Sequence, residues 1–298
     1  MSVSAKHAVL VGVDGSPSSN AAVDWAARTA AMRGLPLVMV HVIPEPKAAL
    51  GVNVIRSPQV WQSLEREAKR VLAESRTIAE QATVGSGPLR IEVASISDPA
   101  VAALVRLSEE AELVVVGSRG LGRIPRRLLG SVSAGLAHHS HCPVAIVHDE
   151  KRGDMARLPV VVGIDGSPAS EAATALAFEE ASRRGVELIA LHAWSDNLII
   201  ELPGNEWESA HPKAAEALAE RLAGWQERYP DVSVRRVVVP DRPARRLIKH
   251  SQDAQLVVVG SRGRGGFTGM LLGSVSAAVA EAAHSPVIVA RPAPAERS

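Results

Sequence analysis

The chain of 298 residues has one cysteine, Cys142, two Phe and one Tyr. A single thiol cannot build an intrachain disulfide framework, and next to Pro143 it reads as a small core residue at the start of a strand. With aromatics at 3%, the core falls to Val, Leu, Ile and Ala, and the stacking platforms that hold single-stranded nucleic acid are missing. The net charge of +1 gives no one-signed field, so nucleic acid is not an expected partner. The opening MSVSAKHAVLVGVDGSPSS is interrupted by Gly, Asp and Pro before any long apolar run. Neither a signal peptide nor a membrane span is therefore expected, and the expected location is cytoplasmic. No Gly-x4-Gly-Lys-Ser/Thr occurs, which excludes a P-loop. No nucleophile, base and orienter arrangement is recognisable either.

What the chain does have is repetition. Leu-Val-Val-Val-Gly-Ser-Arg-Gly occurs at 113–120 and at 256–263, and after nine intervening residues each copy is followed by Gly-Ser-Val-Ser. Val11-Gly12-Val13-Asp14-Gly15-Ser16-Pro17 returns 151 residues later as Val162-Gly163-Ile164-Asp165-Gly166-Ser167-Pro168, whereas Gly117, Gly130 and Pro143 return after 143 as Gly260, Gly273 and Pro286. Eight residues are therefore lost in between, either after the second strand or in the next connection, where surface loops tolerate deletion. A period this long means two whole domains, expected at 1–150 and 151–298 with a short polar join from Asp149 to Arg157.

Each half alternates strand and helix. In the first, apolar β-branched runs place strands near 8–13, 36–42, 89–95, 112–117 and 143–148, with helical stretches near 17–33, 58–83, 98–110 and 131–140. Ser16 and Ser167 read as N-caps, with Pro17 and Pro168 at the first helical position. Such alternation predicts an α/β fold: two tandem, doubly wound, Rossmann-like domains, each an open parallel sheet with helices on both faces. Ligands bind such sheets beyond the carboxyl ends of the strands, where Asp14 and Gly117 fall.

The glycines and the Gly-Ser turn suit an anion. Glycine admits close main-chain N–H groups, a helix N-terminus adds its positive dipole end, and Ser131 and Ser274 can add hydroxyl donors. Asp14 and Asp165 read either as acceptors of ribose hydroxyls or as Asx-turn or cap residues beside Gly-Ser-Pro. His41 and His192, ending equivalent strands, read as satisfied by local hydrogen bonds. His138-His139-Ser140-His141-Cys142 reads as a polar helix end running into a strand, because adjacent ligands do not converge from one helix face. No metal ligand is therefore assigned.

Gly117, Gly120, Gly130 and Ser131, and again Gly260, Gly263, Gly273 and Ser274, form Gly-x2-Gly-x9-Gly-Ser, which resembles the ATP-binding signature of the universal stress proteins. The resemblance covers nearly the whole chain as two tandem domains. It implies that Asp14 and Asp165 lie near ribose and adenine, that the backbone of Val42 and Ala193 meets the adenine, and that Val132 and Val275 complete the phosphate turn. Gly12, Gly163, Ser133 and Ser276 flank these positions and complete the candidate set, with Arg123 from the basic run Arg119, Arg123, Arg126 and Arg127. That run reads equally as a solvated loop face or as accessory phosphate contacts. The resemblance also implies two ATP per chain, with magnesium as the accompanying ion, and a nucleotide-dependent regulator or sensor in stress response, dormancy or growth control. The alternative is a slow ATPase or phosphotransferase. Dimerisation of single-domain relatives through their last strands implies an internal pseudo-dimer, with a homodimer beyond it.

Arg123, Arg126 and Arg127 correspond at the 143 offset to Gly266, Gly269 and Met270, so the first site carries the more basic loop. It should hold ATP more tightly and lose more affinity as salt rises. ATP titrations of Gly130→Glu and Gly273→Glu variants across a salt series, each leaving one site, check this, and equal salt dependence would dismiss it.

Overall fold

A computed structural model describes residues 4–43, 58–122, 128–149, 155–193, 206–239, 242–263 and 271–292, with side chains of the sixth helix from 212 onward. Arg123, Arg126, Arg127, Gly266, Gly269, Met270 and most of the join lie outside the described residues.

Contacts divide the chain into two units, Met1–Asp149 and Glu150–Ser298. The first runs β1 (Val9–Gly12), α1 (Pro17–Arg33), β2 (Leu37–Ile43), α2 (Pro58–Ala82), β3 (Ile91–Ser97), α3 (Ala100–Leu107), β4 (Leu113–Gly117), α4 (Ser131–His139) and β5 (Val144–Val147). The second repeats it as β6 (Val160–Gly163), α5 (Pro168–Arg184), β7 (Leu188–Ala193), α6 (Glu206–Arg228), β8 (Val234–Val239), α7 (Pro243–His250), β9 (Leu256–Gly260), α8 (Ser274–Ala282) and β10 (Val287–Ala290). Within the first unit the strand order is β3-β2-β1-β4-β5, and within the second β8-β7-β6-β9-β10, all parallel. The order reverses between β1 and β4 and between β6 and β9, which opens a crevice at the carboxyl ends of those strands.

The central strands bury both faces. Val9, Leu10, Val11, Leu113, Val114 and Val115 are at most 1% exposed, as continuous Val and Leu runs in a parallel sheet require. Helices lie on opposite faces: a side chain added at Gly12 would meet Leu104 of α3, whereas one at Gly117, on the opposite side of β4 from Val116, would meet Ser18 of α1. The expected α/β architecture is the observed one. Ser16 caps α1 by accepting from the Ser19 N–H at 3.2 Å, Pro17 is the first helical residue, and Gly34 ends the helix in the left-handed conformation at φ 65°. Ser167 and Gly185 do the same for α5.

The eight-residue difference is now located. Gly15 faces Val71 and Gly166 faces Arg221, so these two helix positions correspond. Val71 lies twenty residues before Ile91, the first residue of β3, while Arg221 lies thirteen before Val234 of β8. Seven of the eight residues are thus removed from the second half of the long helix, which ends four residues earlier after that point, and from its connection to the edge strand, which is three residues shorter. Among the described residues no helix is long and apolar enough to cross a membrane.

The second unit concentrates its aromatics. Phe178, fully buried, stacks on Trp225 at 6.1 Å and Tyr229 at 5.8 Å between ring centres, where the first unit has Ala27, Ser75 and Ala79. Phe178→Ala should lower the stability of the second unit by about 3–4 kcal/mol. Chemical denaturation followed by Trp fluorescence reads the effect, and a loss below about 1 kcal/mol would mean that the α5–α6 packing closes the gap.

Candidate functional site

In the first unit Gly12, Asp14, Val42, Gly117, Gly120, Gly130, Ser131, Val132 and Ser133 line one cavity of about 280 Å³. It sits at the reversal of strand order, and its size is near the lower end for small-molecule pockets. Arg123, the remaining candidate of this unit, lies outside the described residues.

Main-chain proximity builds the floor. A β-carbon on Gly117 would lie 2.6 Å from the carbonyl carbon and 2.8 Å from the carbonyl oxygen of Ser18, closer than real side chains come. The end of β4 therefore lies directly against the first turn of α1. The Ser18 hydroxyl donates to the Arg119 carbonyl, and the Ser16 hydroxyl reaches the same oxygen at 3.4 Å. Gly120 is bare for a second reason: its β-carbon would fall 2.5 Å from Asp14 Oδ2. Packing within the protein thus demands glycine at 117 before any ligand is considered, while a side chain at 120 would have to push the Asp14 carboxylate aside.

Asp14 makes the Asx-turn and keeps one oxygen beside the cavity. Oδ1 accepts the Ser16 N–H at 2.9 Å, an Asx-turn, while Oδ2 lies over Gly120 beside the cavity. Its own N–H donates to Ser19 Oγ at 3.1 Å, which fixes the carboxylate from both sides. His41 Nδ1 donates to the Val13 carbonyl at 2.8 Å, and Val13 N–H donates to Val40 O at 2.9 Å, so the ends of β1 and β2 are tied where Val40 and Val42 reach the cavity. A proton on Nδ1 leaves Nε2 as the acceptor of the neutral ring.

At the other side stands α4. Gly130 is its N-cap, at φ −65° and ψ 158°, and makes no side-chain cap, in contrast to Ser16 on α1. The first-turn N–H groups of Ser131, Val132 and Ser133 thus open into the cavity without a side-chain acceptor, at the positive end of a nine-residue helix. Gly130's own N–H is committed to Ser118 O at 2.8 Å. The Ser133 hydroxyl is committed too, donating to Ser118 O at 2.9 Å and lying 3.0 Å from Gly130 O. It positions the turn, while Ser131 is exposed and lines the cavity. This set can receive a polyanion at α4 and a hydroxylated group at Asp14.

Sequence reasoning missed the apolar wall. Leu104 and Ala100 from α3, with Val40 and Val116, give the cavity a greasy side suited to a flat ring. Their only signal was the apolar character of α3, which also marks a plain core helix. Leu121 and Gly122 of the loop line the cavity as well.

The second unit repeats the local geometry. At Gly260 a β-carbon would meet Ala169 backbone at 2.6 Å, at Gly263 Asp165 Oδ2 at 2.5 Å, and at Gly163 Leu247 at 3.0 Å. Asp165 Oδ1 accepts the Ser167 N–H at 2.9 Å, and His192 Nδ1 donates to Ile164 O at 2.7 Å next to Ala193. Gly273 N-caps α8 without a side chain, leaving Ser274, Val275 and Ser276 in its first turn, and the Ser276 hydroxyl donates to Gly260 O at 2.5 Å. Among the differences, the Ser276 hydroxyl takes the Gly260 carbonyl where Ser133 takes that of Ser118, Ser167 rather than Ala169 holds the Arg262 carbonyl, and the Arg221 guanidinium covers Gly166 where Val71 covers Gly15.

Among the described residues no group of three His, Cys, Asp or Glu could hold a metal. His138 Nδ1 donates to Ala134 O at 2.8 Å within its own helix, and His141 Nε2 lies 3.8 Å from Glu109.

A family model described as the Universal stress protein family matches residues 6–148 and again 157–291. A universal stress protein of Mycobacterium tuberculosis (strain ATCC 25618 / H37Rv) is 51% identical over 285 residues, 95% of this chain and 96% of that protein. Another, of Mycobacterium bovis, is 53% identical over 289 residues, 96% of this chain and 97% of that one. The crystal structure of a universal stress protein from Archaeoglobus fulgidus has the same fold, with a TM-score of 0.70 at 23% identity over 96% of this chain and 98% of that one.

Gly117→Ala should destabilise the first unit by about 1–3 kcal/mol through overpacking against Ser18, whereas Gly130→Ala, whose β-carbon has 3.4 Å to Arg119 Cα, should cost no more than about 1 kcal/mol. Paired thermal melts compare them; equal losses would contradict the close approach at Gly117.

Proposed function

The chain belongs to the universal stress protein family along nearly its whole length, and from that premise we propose that each unit binds ATP and that the protein acts as a nucleotide-dependent regulator or sensor in stress response, dormancy or growth control. The observation that carries the reading is the uncapped N-terminus of α4 facing Asp14 across one cavity whose third side is apolar. A triphosphate needs converging N–H donors, which Ser131, Val132 and Ser133 offer. Ribose hydroxyls need an acceptor, and Asp14 Oδ2 is the oxygen left beside the cavity. Adenine needs an apolar slot, which Val40, Val42 and Leu104 supply. In the second unit Gly163, Asp165, Ala193, Gly260, Gly263, Gly273, Ser274, Val275 and Ser276 take the same roles. Magnesium is assigned to the phosphates of the nucleotide.

Binding is favoured over turnover by the inventory of groups. Among the described residues lining the cavity, only Asp14 and Arg119 carry titratable side chains, and Asp14 is fixed at Oδ1 by the Ser16 N–H. A slow ATPase would need a base or a water-positioning group beyond these. The working form is assigned as a cytoplasmic homodimer, since closed two-fold pairs are the commonest oligomers.

Calorimetry with ATP should give two sites per chain, and Gly130→Glu and Gly273→Glu should each remove one by placing a carboxylate at a phosphate turn. A single site in the unmodified protein would refute the duplicated reading. ADP accumulating during prolonged incubation with ATP would instead support the slow ATPase.

A further inference from the structure

Arg119 lines the cavity of the first unit, yet its side chain is already engaged. Its Nη2 donates to Asp149 Oδ1 at 2.7 Å, and the two side chains are 21% and 35% exposed. Asp149 lies two residues beyond β5, which pairs in parallel with β4, so its carboxylate stands at the same carboxyl-end rim as the glycine loop. The backbone of Arg119 cannot follow its side chain outward, because its carbonyl oxygen accepts the Ser18 hydroxyl and its Cα packs 3.4 Å from where a β-carbon of Gly130 would sit. A guanidinium is thus anchored beside the open end of α4, with a carboxylate holding it. The second unit keeps the arginine as Arg262 but has Pro292 in place of Asp149.

A carboxylate at the rim of an anion site repels the anion unless a cation cancels it, and the same guanidinium fork that fits a carboxylate fits a phosphate. We propose that Arg119 is a binding residue for the distal phosphates of the nucleotide in the first site, and that Asp149 competes with those phosphates for it and so sets the site's preference for phosphate-chain length. This rests on the nucleotide reading above. A monophosphate leaves the Arg119–Asp149 pair intact and gains nothing from it. A longer polyphosphate that reaches the guanidinium displaces Asp149 and is left near its freed negative charge. Asp149 therefore holds back triphosphate binding at the first site, a brake the second site lacks.

The test uses the full chain carrying Gly273→Glu, so that only the first site is read, with affinities for ATP, AMP and adenosine measured by calorimetry. Asp149→Asn, nearly isosteric, should raise the ratio of ATP to AMP affinity about tenfold, the equivalent of one charge-assisted hydrogen bond. Arg119→Gln should lower that ratio by about the same factor, and adenosine affinity should stay unchanged in Asp149→Asn. In the chain carrying Gly130→Glu instead, Pro292→Asp should lower the ratio at the second site. Thermal melts accompany each variant; if Arg119→Gln disturbs the loop, Asp149→Asn alone carries the test. Ratios within twofold of the parent for Asp149→Asn would overturn the inference while leaving nucleotide binding intact. A folded parent that binds neither ATP nor AMP would overturn the nucleotide reading and the inference with it.

Discussion

The contact on which the site depends is that between the end of β4 and the first turn of α1. The Ser18 carbonyl occupies the space in which any side chain at Gly117 would begin. Because the two backbones touch there, the loop leaving β4 starts in a fixed place, with the Arg119 carbonyl held by the Ser18 hydroxyl and Gly120 lying under the Asp14 carboxylate. From that start the Ser118 carbonyl is placed to accept both the Gly130 N–H and the Ser133 hydroxyl, which orients α4 toward β1. Remove the close approach and the carboxylate and the helix end no longer face one cavity.

A constraint between main chains is indifferent to side-chain change, which explains what the two units share and where they part. Ser18 is replaced by Ala169, yet Gly260 meets that residue's backbone at the same 2.6 Å, and the Arg262 carbonyl is taken over by Ser167 at 3.1 Å. Away from the contact the copies drift. Small residues between α1 and α2 give way to the Phe178, Trp225 and Tyr229 stack between α5 and α6, and seven residues are lost from the end of the long helix and its connection to the edge strand. These positions answer only to packing and chain length, which can be met in several ways.

What could be read in the sequence follows from the range of the interactions. Caps and strands are local: Ser16 with Pro17, Gly34, and the Val-Val-Val runs each announce themselves within a few residues, and the observed elements lie where the pattern put them. Repetition extended that reach, because a glycine set kept at fixed spacing in two copies points to shared geometry. The local hydrogen bonds of His41 and His192 agree with the blander reading of those residues. Purposes were harder to see than positions. Gly117 and Gly120 read as openings for a ligand; that they also make room for Ser18 and Asp14, about a hundred residues distant in sequence, no local pattern shows. Ser133 stood in the candidate set only by its place in the phosphate turn; its hydroxyl proton goes to backbone carbonyls. The Arg119–Asp149 pair, the Leu104 wall and the Phe178 stack join residues that no local pattern relates.

The committed hydrogen bonds also bear on what kind of site this is. Asp14 Oδ1, the Gly130 N–H, the Ser133 hydroxyl and the Ser16 and Ser18 hydroxyls are all spent inside the protein, whereas the N–H groups of the α4 first turn meet no side-chain cap and remain for a ligand. Such pre-organisation lowers the cost of binding, since few groups must be ordered when the anion arrives. It also leaves little to move protons: a carboxylate pinned by an Asx-turn and a guanidinium, which offers donors but no acceptor, are poor partners for a reacting water. A cavity so furnished is suited to receiving an anion at the α4 end and a hydroxylated group at Asp14 with little rearrangement.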